Sequence, residues 1–255
     1  MRSIRLTALA LTAAAAALAA CGENSPATPA ETSPAAGEAA TGVPGQAAPE
    51  AAATPEQAAA QPVPDGGLQG GTDDWRTVAS AADASLLGRL DQAWRLGRAE
   101  AEDAGFAQQV EALGPLVDPN AGLTGRLQPA PGTYRCRTIK LGRRVEGQDA
   151  NSGGLAYVAY PFFACSVELT PGGDLVLTKT TGSQRSRGLL YPDTDRRLVY
   201  VGTQAWGDEA TWPAYGANRD RDQVGVLERI GDTRWRLVLP WPKQEAKLEL
   251  LEIVR

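Results

Sequence analysis

The spacing of apolar residues changes near the middle of the chain, and this change separates a helical segment from a β-rich one. Between residues 83 and 103, apolar positions such as Leu87 and Trp94 recur at helical spacing, and charged residues occupy the other faces. Ser80 and Asp83 stand at the start of this segment and are candidate N-caps. The spacing therefore predicts a helix over residues 83–103.

Beyond residue 132 the spacing falls to a period of two, which is typical of strands with one buried face. These segments lie at about 133–141, 155–169 with a bend at Pro161, 174–180, 185–191, 196–203, 223–230, 234–239 and 247–254. No helix is predicted between them, so the pattern favours an antiparallel eight-stranded sheet, closed or nearly closed into a barrel, with the N-terminal helix packed on it. The predicted fold class is β-rich α+β, lipocalin-like in architecture, with a two-sheet sandwich as the alternative.

The first 20 residues have the pattern of a secretory leader. Arg2 and Arg5 supply positive charge, residues 6–20 are uncharged, and small residues precede Cys21. This ending resembles the lipobox of bacterial lipoproteins, in which the cysteine is acylated and becomes the mature N-terminus. We expect a signal peptide over residues 1–20 and lipidation of Cys21; an ordinary leader followed by a chance cysteine is the alternative.

The segment after Cys21 has a composition that does not favour folding. Residues 22–71 are dominated by Ala, Pro, Glu, Gln, Thr and Gly and contain no aromatic residue, no Lys and no Arg. Such a segment buries too little apolar surface to offset its ordering entropy. We therefore expect residues 21–72 to form a lipidated, disordered tether and residues 73–255 to form a single folded domain.

The cysteine and histidine content limits the kinds of catalytic and metal site that the chain can form. The chain has 3 cysteines and no histidine. With Cys21 assigned to lipid, Cys136 and Cys165 remain as an even pair in an oxidising compartment, where a disulfide is the default. The absence of histidine removes Ser-His-Asp triads and histidine-containing zinc sites. We predict no metal, no cofactor and no assigned catalytic residue.

If the strands that carry these cysteines pair as an antiparallel hairpin, the disulfide predicts their register. Cys136 would lie opposite Cys165, and Tyr134 opposite Val167. Tyr134, Cys136 and Phe163 would then be buried on one face, and the arginines beside Cys136 would be exposed on the other.

Two groups of residues are candidate binding sites. Asp208 and Glu209 are adjacent carboxylates between Trp206 and Trp212, in the long polar segment 204–222. They are candidates for an acid/base pair acting on a glycan, with the tryptophans as sugar platforms. Neighbouring carboxylates rarely flank one scissile bond, so a turn with capping carboxylates is the favoured interpretation.

The second group is cationic, and its ligand-binding candidates are Arg135, Arg137, Arg185 and Arg187. Its other members are Lys140, Arg143, Arg144, Arg196 and Arg197. Arg135 and Arg137 are two residues apart and share one face of a strand. Together these arginines are candidates for a patch that binds lipid headgroups, phosphate or carboxylate. Cross-strand pairing with neighbouring carboxylates is the alternative.

Several segments of the folded part resemble one family in their amino-acid sequence. They are Tyr134-Arg135-Cys136-Arg137, Tyr160-Pro161-Phe162-Phe163, Gly182-Ser183-Gln184-Arg185, Leu190-Tyr191-Pro192-Asp193, Gly207-Asp208-Glu209, residues 225–230 and residues 235–238. They resemble the domain of unknown function numbered 4893, which occurs in secreted and lipid-anchored proteins of alphaproteobacteria. The resemblance covers roughly residue 74 to the C-terminus and implies no activity, substrate or catalytic residue.

The leading functional hypothesis is a non-enzymatic cell-envelope lipoprotein whose β domain binds a protein partner or a small envelope ligand. The lipid anchor would hold it at the periplasmic face of the envelope, and Gly22 after the cysteine favours the outer membrane. Residues 73–255 carry 23 basic and 24 acidic residues, and this near balance gives no field for steering nucleic acid, so no nucleic-acid partner is predicted. The alternative is a glycan-acting hydrolase that uses carboxylates of the segment 204–222.

Overall fold

The computed structural model describes residues 74–144 and 154–255. The predicted signal peptide, the lipidated Cys21 and the predicted tether lie outside the described residues. None of the helices in the described part of the chain is long and apolar enough to cross a membrane.

The helical segment consists of three short helices rather than one. They are α1 (Ala81–Leu87), α2 (Leu90–Ala101) and α3 (Ala107–Glu111), with a π-helical turn at Glu102–Phe106 and 3-10 turns at Trp75–Thr77 and Gly114–Leu116. Ser80 caps α1 by accepting a hydrogen bond from the backbone N–H of Asp83, so the helix begins earlier than predicted. Gly105 has a φ of 92°, and this left-handed residue separates α2 from α3.

Nine strands follow the helices. They are β1 (Gly132–Arg143), β2 (Tyr157–Ala159), β3 (Phe163–Leu169), β4 (Leu175–Lys179), β5 (Gln184–Pro192), β6 (Arg197–Trp206), β7 (Asp222–Gly231), β8 (Arg234–Pro240) and β9 (Ala246–Val254). From β3 onward each strand pairs antiparallel with the next along the chain, and β9 pairs with β1. This last pairing closes the sheet into an eight-stranded antiparallel barrel, which confirms the predicted fold class and decides against the sandwich.

The short strand β2 and the strand β3 occupy consecutive parts of one edge of β1. Cys136 lies opposite Phe163 in β3, and Ile139 lies opposite Ala159 in β2. Pro161 stands between the two segments, where it cannot donate a ladder hydrogen bond. The predicted bent strand is therefore two strands interrupted at this proline.

The predicted register of the first hairpin is wrong by two residues, although the disulfide is present. Cys136 is bonded to Cys165, but the residue opposite Cys165 is Tyr134. The two cysteines are diagonal neighbours with a Cα–Cα distance of 5.9 Å, which a disulfide accommodates. Because side chains alternate with a period of two, this shift leaves each residue on its predicted face. Tyr134 and Cys136 are buried, Phe163 is half-buried, and Arg135 is exposed.

α2 packs on the outer wall of the barrel at the seam between β1 and β9, and α1 packs on the outer face of β7. Trp94 of α2 is buried in a cluster that includes Ile139 and Leu248. A Cβ atom on Gly97 would lie 3.0 Å from the carbonyl oxygen of Leu141 and 3.0 Å from the Cβ of Leu248. Glycine at this position therefore allows the close approach of α2 to the seam.

The middle of the barrel is filled by side chains. Tyr200 is fully buried, and its ring occupies the space beside Gly188, where a Cβ atom would come within 2.5 Å of that ring. The rest of the inner cluster includes Cys136, Cys165, Val167, Leu177, Leu198, Leu227, Leu237, Leu251 and Ile253. The interior is thus a packed core.

A buried polar cluster closes one end of this core. The ammonium of Lys140 donates to Gln184 Oε1 at 2.8 Å and to Glu245 Oε2 at 2.6 Å, and it lies 3.9 Å from Glu249. Burial opposes the charge of Lys140, but the neighbouring carboxylates of Glu249 and Glu245 outweigh burial and raise the pKa of this lysine. The inward-facing charge is therefore held by paired partners.

Lys179 lies at the same end in a less favourable environment. Its ammonium donates to the carbonyl oxygens of Thr181 and Gln184 at 2.8 and 2.7 Å, and it lies 4.2 Å from the centre of the Phe163 ring. Burial lowers the pKa of Lys179 from its ordinary value of 10.5 to about 8, against the opposing effect of Glu249.

Arg236 joins the chain after the helices to the barrel wall. It is 0% exposed, and its Nε donates to Glu228 Oε2 at 2.7 Å. Its Nη1 donates to the carbonyl oxygens of Pro115, Leu116 and Asp118 at 3.0, 3.1 and 2.5 Å. One buried guanidinium therefore satisfies several carbonyl groups that have no strand partner.

We predict that Arg236→Met lowers the free energy of unfolding by about 3–5 kcal/mol, because the change leaves the largely buried carboxylate of Glu228 and the carbonyl groups of Pro115 and Leu116 without the guanidinium donor. Arg196→Met is the matched control, since Arg196 is exposed and makes one hydrogen bond to this connection, at Gly122 O. Denaturant unfolding should give a loss below about 1 kcal/mol for the control. Equal losses in the two variants would contradict the central role of Arg236.

The low pKa of Lys179 predicts a pH-dependent difference between the native chain and Lys179→Met. Between about pH 8 and pH 10.5 the unfolded chain keeps the proton that the folded chain releases, so the native chain gains stability as pH rises through this window. The gain relative to the variant should be about 3 kcal/mol, from 1.36 kcal/mol per pKa unit. Urea unfolding of both proteins at neutral and at alkaline pH measures this gain. The titration of every other group is common to the two proteins, so it cancels in the difference between their free energies of unfolding. A difference that does not change with pH would contradict this prediction.

Candidate functional site

The barrel end at which β1 begins carries a cavity of about 500 Å³, which we call the cup. Its walls come from the segment 126–131, the turns that follow β3 and β7, and the end of β5. Tyr134 and Trp235 form its floor, and Leu175 and Leu190 line it between the aromatic rings and the rim. The cup therefore lies directly on the packed core of the barrel.

The two floor rings hold the segment 126–131 across the barrel end. Tyr134 and Trp235 meet edge to face with ring centres 6.0 Å apart. The Tyr134 hydroxyl donates to the carbonyl oxygen of Ala130 at 2.6 Å, and the Trp235 indole N–H donates to that of Leu127 at 2.7 Å. Leu127 is buried in the inner cluster, so this segment is part of the core as well as a wall of the cup.

The chain reaches the cup along a path fixed by arginines. After the carbonyl groups bound by Arg236, Nη1 of Arg196 donates to Gly122 O at 3.1 Å and Nη2 of Arg229 donates to Thr124 O at 2.9 Å. The backbone N–H of Leu123 donates to Arg229 O at 2.8 Å. These bonds hold the connection against the barrel and set where the wall 126–131 begins.

The acidic and basic side chains at the rim of the cup differ in their surroundings. Asp174 accepts a hydrogen bond from Thr170 Oγ1 at 3.1 Å, and Asp232 lies 3.9 Å from Arg229. Arg126 and Arg255 also line the cup, and neither has a carboxylate of the described residues within 4.0 Å. Asp174 is thus hydrogen-bonded within the protein and Asp232 is fully exposed to solvent, whereas the two arginines are available to an anion.

The cup offers binding groups rather than reactive ones. The edges and faces of the Trp235 and Tyr134 rings supply an apolar floor, and Leu169 at the rim is 57% exposed. Among the described residues no group of three or more His, Cys, Asp or Glu side chains is arranged to hold a metal ion. The arrangement matches an amphipathic ligand with an anionic group.

The structure brings Arg185, Arg187 and Trp212 together on the outer wall at the opposite end. The Trp212 indole N–H donates to the carbonyl oxygen of Arg185 at 2.7 Å. The guanidinium carbons of Arg185 and Arg187 lie 5.9 and 5.6 Å from the centre of the Trp212 ring. Arg185 also donates to the carbonyl oxygens of Gly207 and Glu209, so it stabilises the loop after β6.

Glu209 and Trp206 belong to the same loop, where Glu209 is bound by protein groups. Its carboxylate accepts hydrogen bonds from both terminal nitrogens of Arg221 at 2.9 and 3.0 Å and from the backbone N–H of Trp206 at 2.7 Å. The hydrogen bonds from Arg221 and from the Trp206 backbone lower the pKa of Glu209. A general acid requires a raised pKa, and the adjacent Asp208 is exposed.

Arg135 and Arg137 lie elsewhere on the outer wall, around a different aromatic ring. Their guanidinium carbons are 5.0 and 5.1 Å from the centre of the Phe162 ring. Arg137 is also paired with Glu252 at 2.5 Å. The four predicted arginines thus form two separate groups rather than one patch, and none of them lines the cup.

Sequence reasoning missed the arginines of the cup. Arg126 and Arg255 are separated by more than half of the described chain, so no local spacing relates them. One sequence feature that pointed to the wall of the cup was the pair Pro129 and Pro131. Prolines so closely spaced exclude a central strand just before β1, so this segment lies outside the sheet.

Comparison with known proteins identifies the family alone. No curated protein and no solved structure matches the chain. One family model matches residues 75–253, which span the helices and the whole barrel. The chain therefore belongs to the family described as a domain of unknown function, DUF4893.

Proposed function

We propose that this chain is a non-enzymatic, lipid-anchored protein of the cell envelope whose barrel binds a small amphipathic anion in the cup. The pairing pattern at the rim carries this proposal. Asp174 accepts a hydrogen bond from Thr170 and Asp232 is exposed to solvent 3.9 Å from Arg229, whereas Arg126 and Arg255 line the cavity without a carboxylate of the described residues within 4.0 Å.

The size and lining of the cup support a small ligand. A cavity of about 500 Å³ falls within the range of about 300–1,000 Å³ that is usual for small-molecule sites. A flat apolar part would contact Trp235 and Tyr134, and a carboxylate, sulfate or phosphate group would bind the guanidinium groups of Arg126 and Arg255.

A role in binding rather than catalysis is supported by the groups that are present. The chain has no histidine, and the adjacent carboxylates proposed for glycan hydrolysis are an exposed Asp208 and an arginine-bound Glu209. The low pKa of Glu209 favours its ionised form, which accepts hydrogen bonds and does not donate a proton.

The location at the envelope is supported by the sequence of the leader. Acylation of Cys21 with two or three chains would give stable attachment, since each buried methylene contributes about 0.8 kcal/mol. A flexible tether of the length expected for residues 22–71 would reach on the order of 40 Å from the membrane. Gly22 supports retention in the outer membrane, at its periplasmic face.

We predict that Cys21→Ala abolishes membrane attachment through lipid and leaves an unacylated precursor that keeps its leader. Mass spectrometry of the membrane fraction from the native host checks this. Cys136→Ala/Cys165→Ala is the control, because it removes the two disulfide-bonded cysteines but leaves the lipobox intact. A Cys21→Ala protein with the mature, acylated mass would show that the lipoprotein assignment is wrong.

We predict that the cup binds anilinonaphthalene sulfonate, an aromatic anion, and that Arg126→Ala/Arg255→Ala weakens this binding by about tenfold. A tenfold loss corresponds to about 1.4 kcal/mol, near the lower end for hydrogen bonds to charged groups. Dye fluorescence with the unacylated mature chain, residues 22–255, measures the dissociation constant.

Two controls make this measurement specific. N-phenylnaphthylamine has the same rings without the sulfonate, so the double arginine variant should bind it as the native chain does. Arg95→Ala removes an exposed arginine of α2 that does not line the cup, and it should leave both dyes unaffected. Unchanged binding of the sulfonate by the double variant would refute the cup as its site.

A further inference from the structure

Exposed apolar side chains are concentrated in one short stretch of the described chain. Leu155, Tyr160 and Phe162 are 48%, 38% and 40% exposed. They lie within eight residues of one another, and the other large apolar side chains with comparable exposure are Leu96, Leu123 and Leu169. Leu169 belongs to the cup, so the stretch 155–162 is an apolar surface without an assigned role.

The interruption at Pro161 explains why Phe162 points outward, whereas the ring of Tyr160 stays on the inner face, 5.8 Å from the ammonium of Lys140. Tyr160 still donates its backbone N–H to Thr138 O at 2.9 Å, and the ladder with β1 resumes at Phe163. Between these two points the chain leaves the regular pleat. Phe162 therefore lies on the outer wall beside Arg135 and Arg137 instead of packing inside.

The two segments that form this wall contribute basic residues and no acidic ones. The wall is built from residues 132–144 and 154–165, which contain four arginines and no Asp or Glu. Arg137 and Arg143 have carboxylate partners, Glu252 and Glu100, on neighbouring elements. Arg135 and Arg144 are exposed, and neither has a carboxylate of the described residues within 4.0 Å.

We propose that this wall, defined by Arg135, Arg144, Leu155 and Phe162, is a contact surface for a bilayer of anionic phospholipid. Arginine guanidinium groups bind lipid phosphates, and the Phe162 ring beside Arg135 inserts at the level of the headgroups. The wall is the convex outside of a barrel, which suits a deformable lipid surface better than a partner that needs a matching groove.

The contact surface would hold the domain against the membrane to which the proposed anchor already tethers it. It relies on the proposed envelope location for access to lipid and is independent of ligand binding in the cup. An experiment can therefore contradict lipid contact by the wall without contradicting ligand binding in the cup, and the reverse is also true.

The test is cosedimentation of the unacylated mature chain, residues 22–255, with vesicles of phosphatidylcholine alone or of phosphatidylcholine with one quarter phosphatidylglycerol. Those residues include every described residue, so the barrel is intact. About 1 mM lipid suffices to detect binding ten times weaker than that of a single myristoyl chain, whose association constant is about 10⁴ M⁻¹. We expect binding to the anionic vesicles, at least fivefold weaker binding to the neutral ones, and release when salt rises from about 0.1 M to about 1 M.

Matched variants locate the surface. Phe162→Ser and Arg135→Gln should each weaken binding to the anionic vesicles at least threefold, whereas Leu96→Ser and Arg95→Gln, which change exposed residues of α2, should not. Arg126→Ala/Arg255→Ala should bind vesicles as the native chain does, which separates this result from the cup. Thermal unfolding of each variant verifies the fold.

Absence of binding to anionic vesicles overturns the proposal and leaves a protein as the occupant of this wall. Equal binding to neutral and anionic vesicles also overturns it, since the arginines would then contribute nothing. Equal losses in the wall variants and the α2 variants would place the contact elsewhere on the protein.

Discussion

The pairing of the first strand with the last is the constraint on which the rest of this structure depends. β1 is hydrogen-bonded on both edges, to β9 on one side and to β3 and then β2 on the other. Without the β1–β9 ladder the sheet would have two open edges. With it, the turns between strands are gathered at two ends, and the outer wall at the seam becomes the surface on which α2 packs, at Gly97.

The two ends of the barrel are covered by different kinds of residue, and this difference explains where a ligand can bind. At one end Lys140 and Lys179 point inward, and the protein supplies their partners. At the other end the aromatic floor of Tyr134 and Trp235 is covered in part by the segment 126–131, which leaves the cup. The first end is closed by internal polar contacts, and the second has unused polar groups at its rim.

Arginines serve two distinct purposes in this fold, and their partners distinguish them. Arg236 is fully buried and binds backbone carbonyl groups and Glu228, so its charge is used for folding. Arg126, Arg135 and Arg255 have no carboxylate within 4.0 Å among the described residues, so their charges remain available to anions. Burial and pairing, rather than the number of arginines, mark the surfaces on which a functional proposal can rest.

The sequence by itself determined the helical segment, the strands apart from the break at Pro161, and the face on which each β1 side chain lies, because these follow from the spacing of neighbouring residues. The cysteine pair followed from the two cysteines left after Cys21. The sequence did not determine the register of β1 against β3, since a shift of two residues leaves every side chain on the same face and the disulfide spans a diagonal pair as well as an opposite one. Only the tertiary structure decided the cup and the two arginine groups. Tyr134 and Trp235, or Arg126 and Arg255, are about 100 or more residues apart in the chain and meet only because the barrel closes.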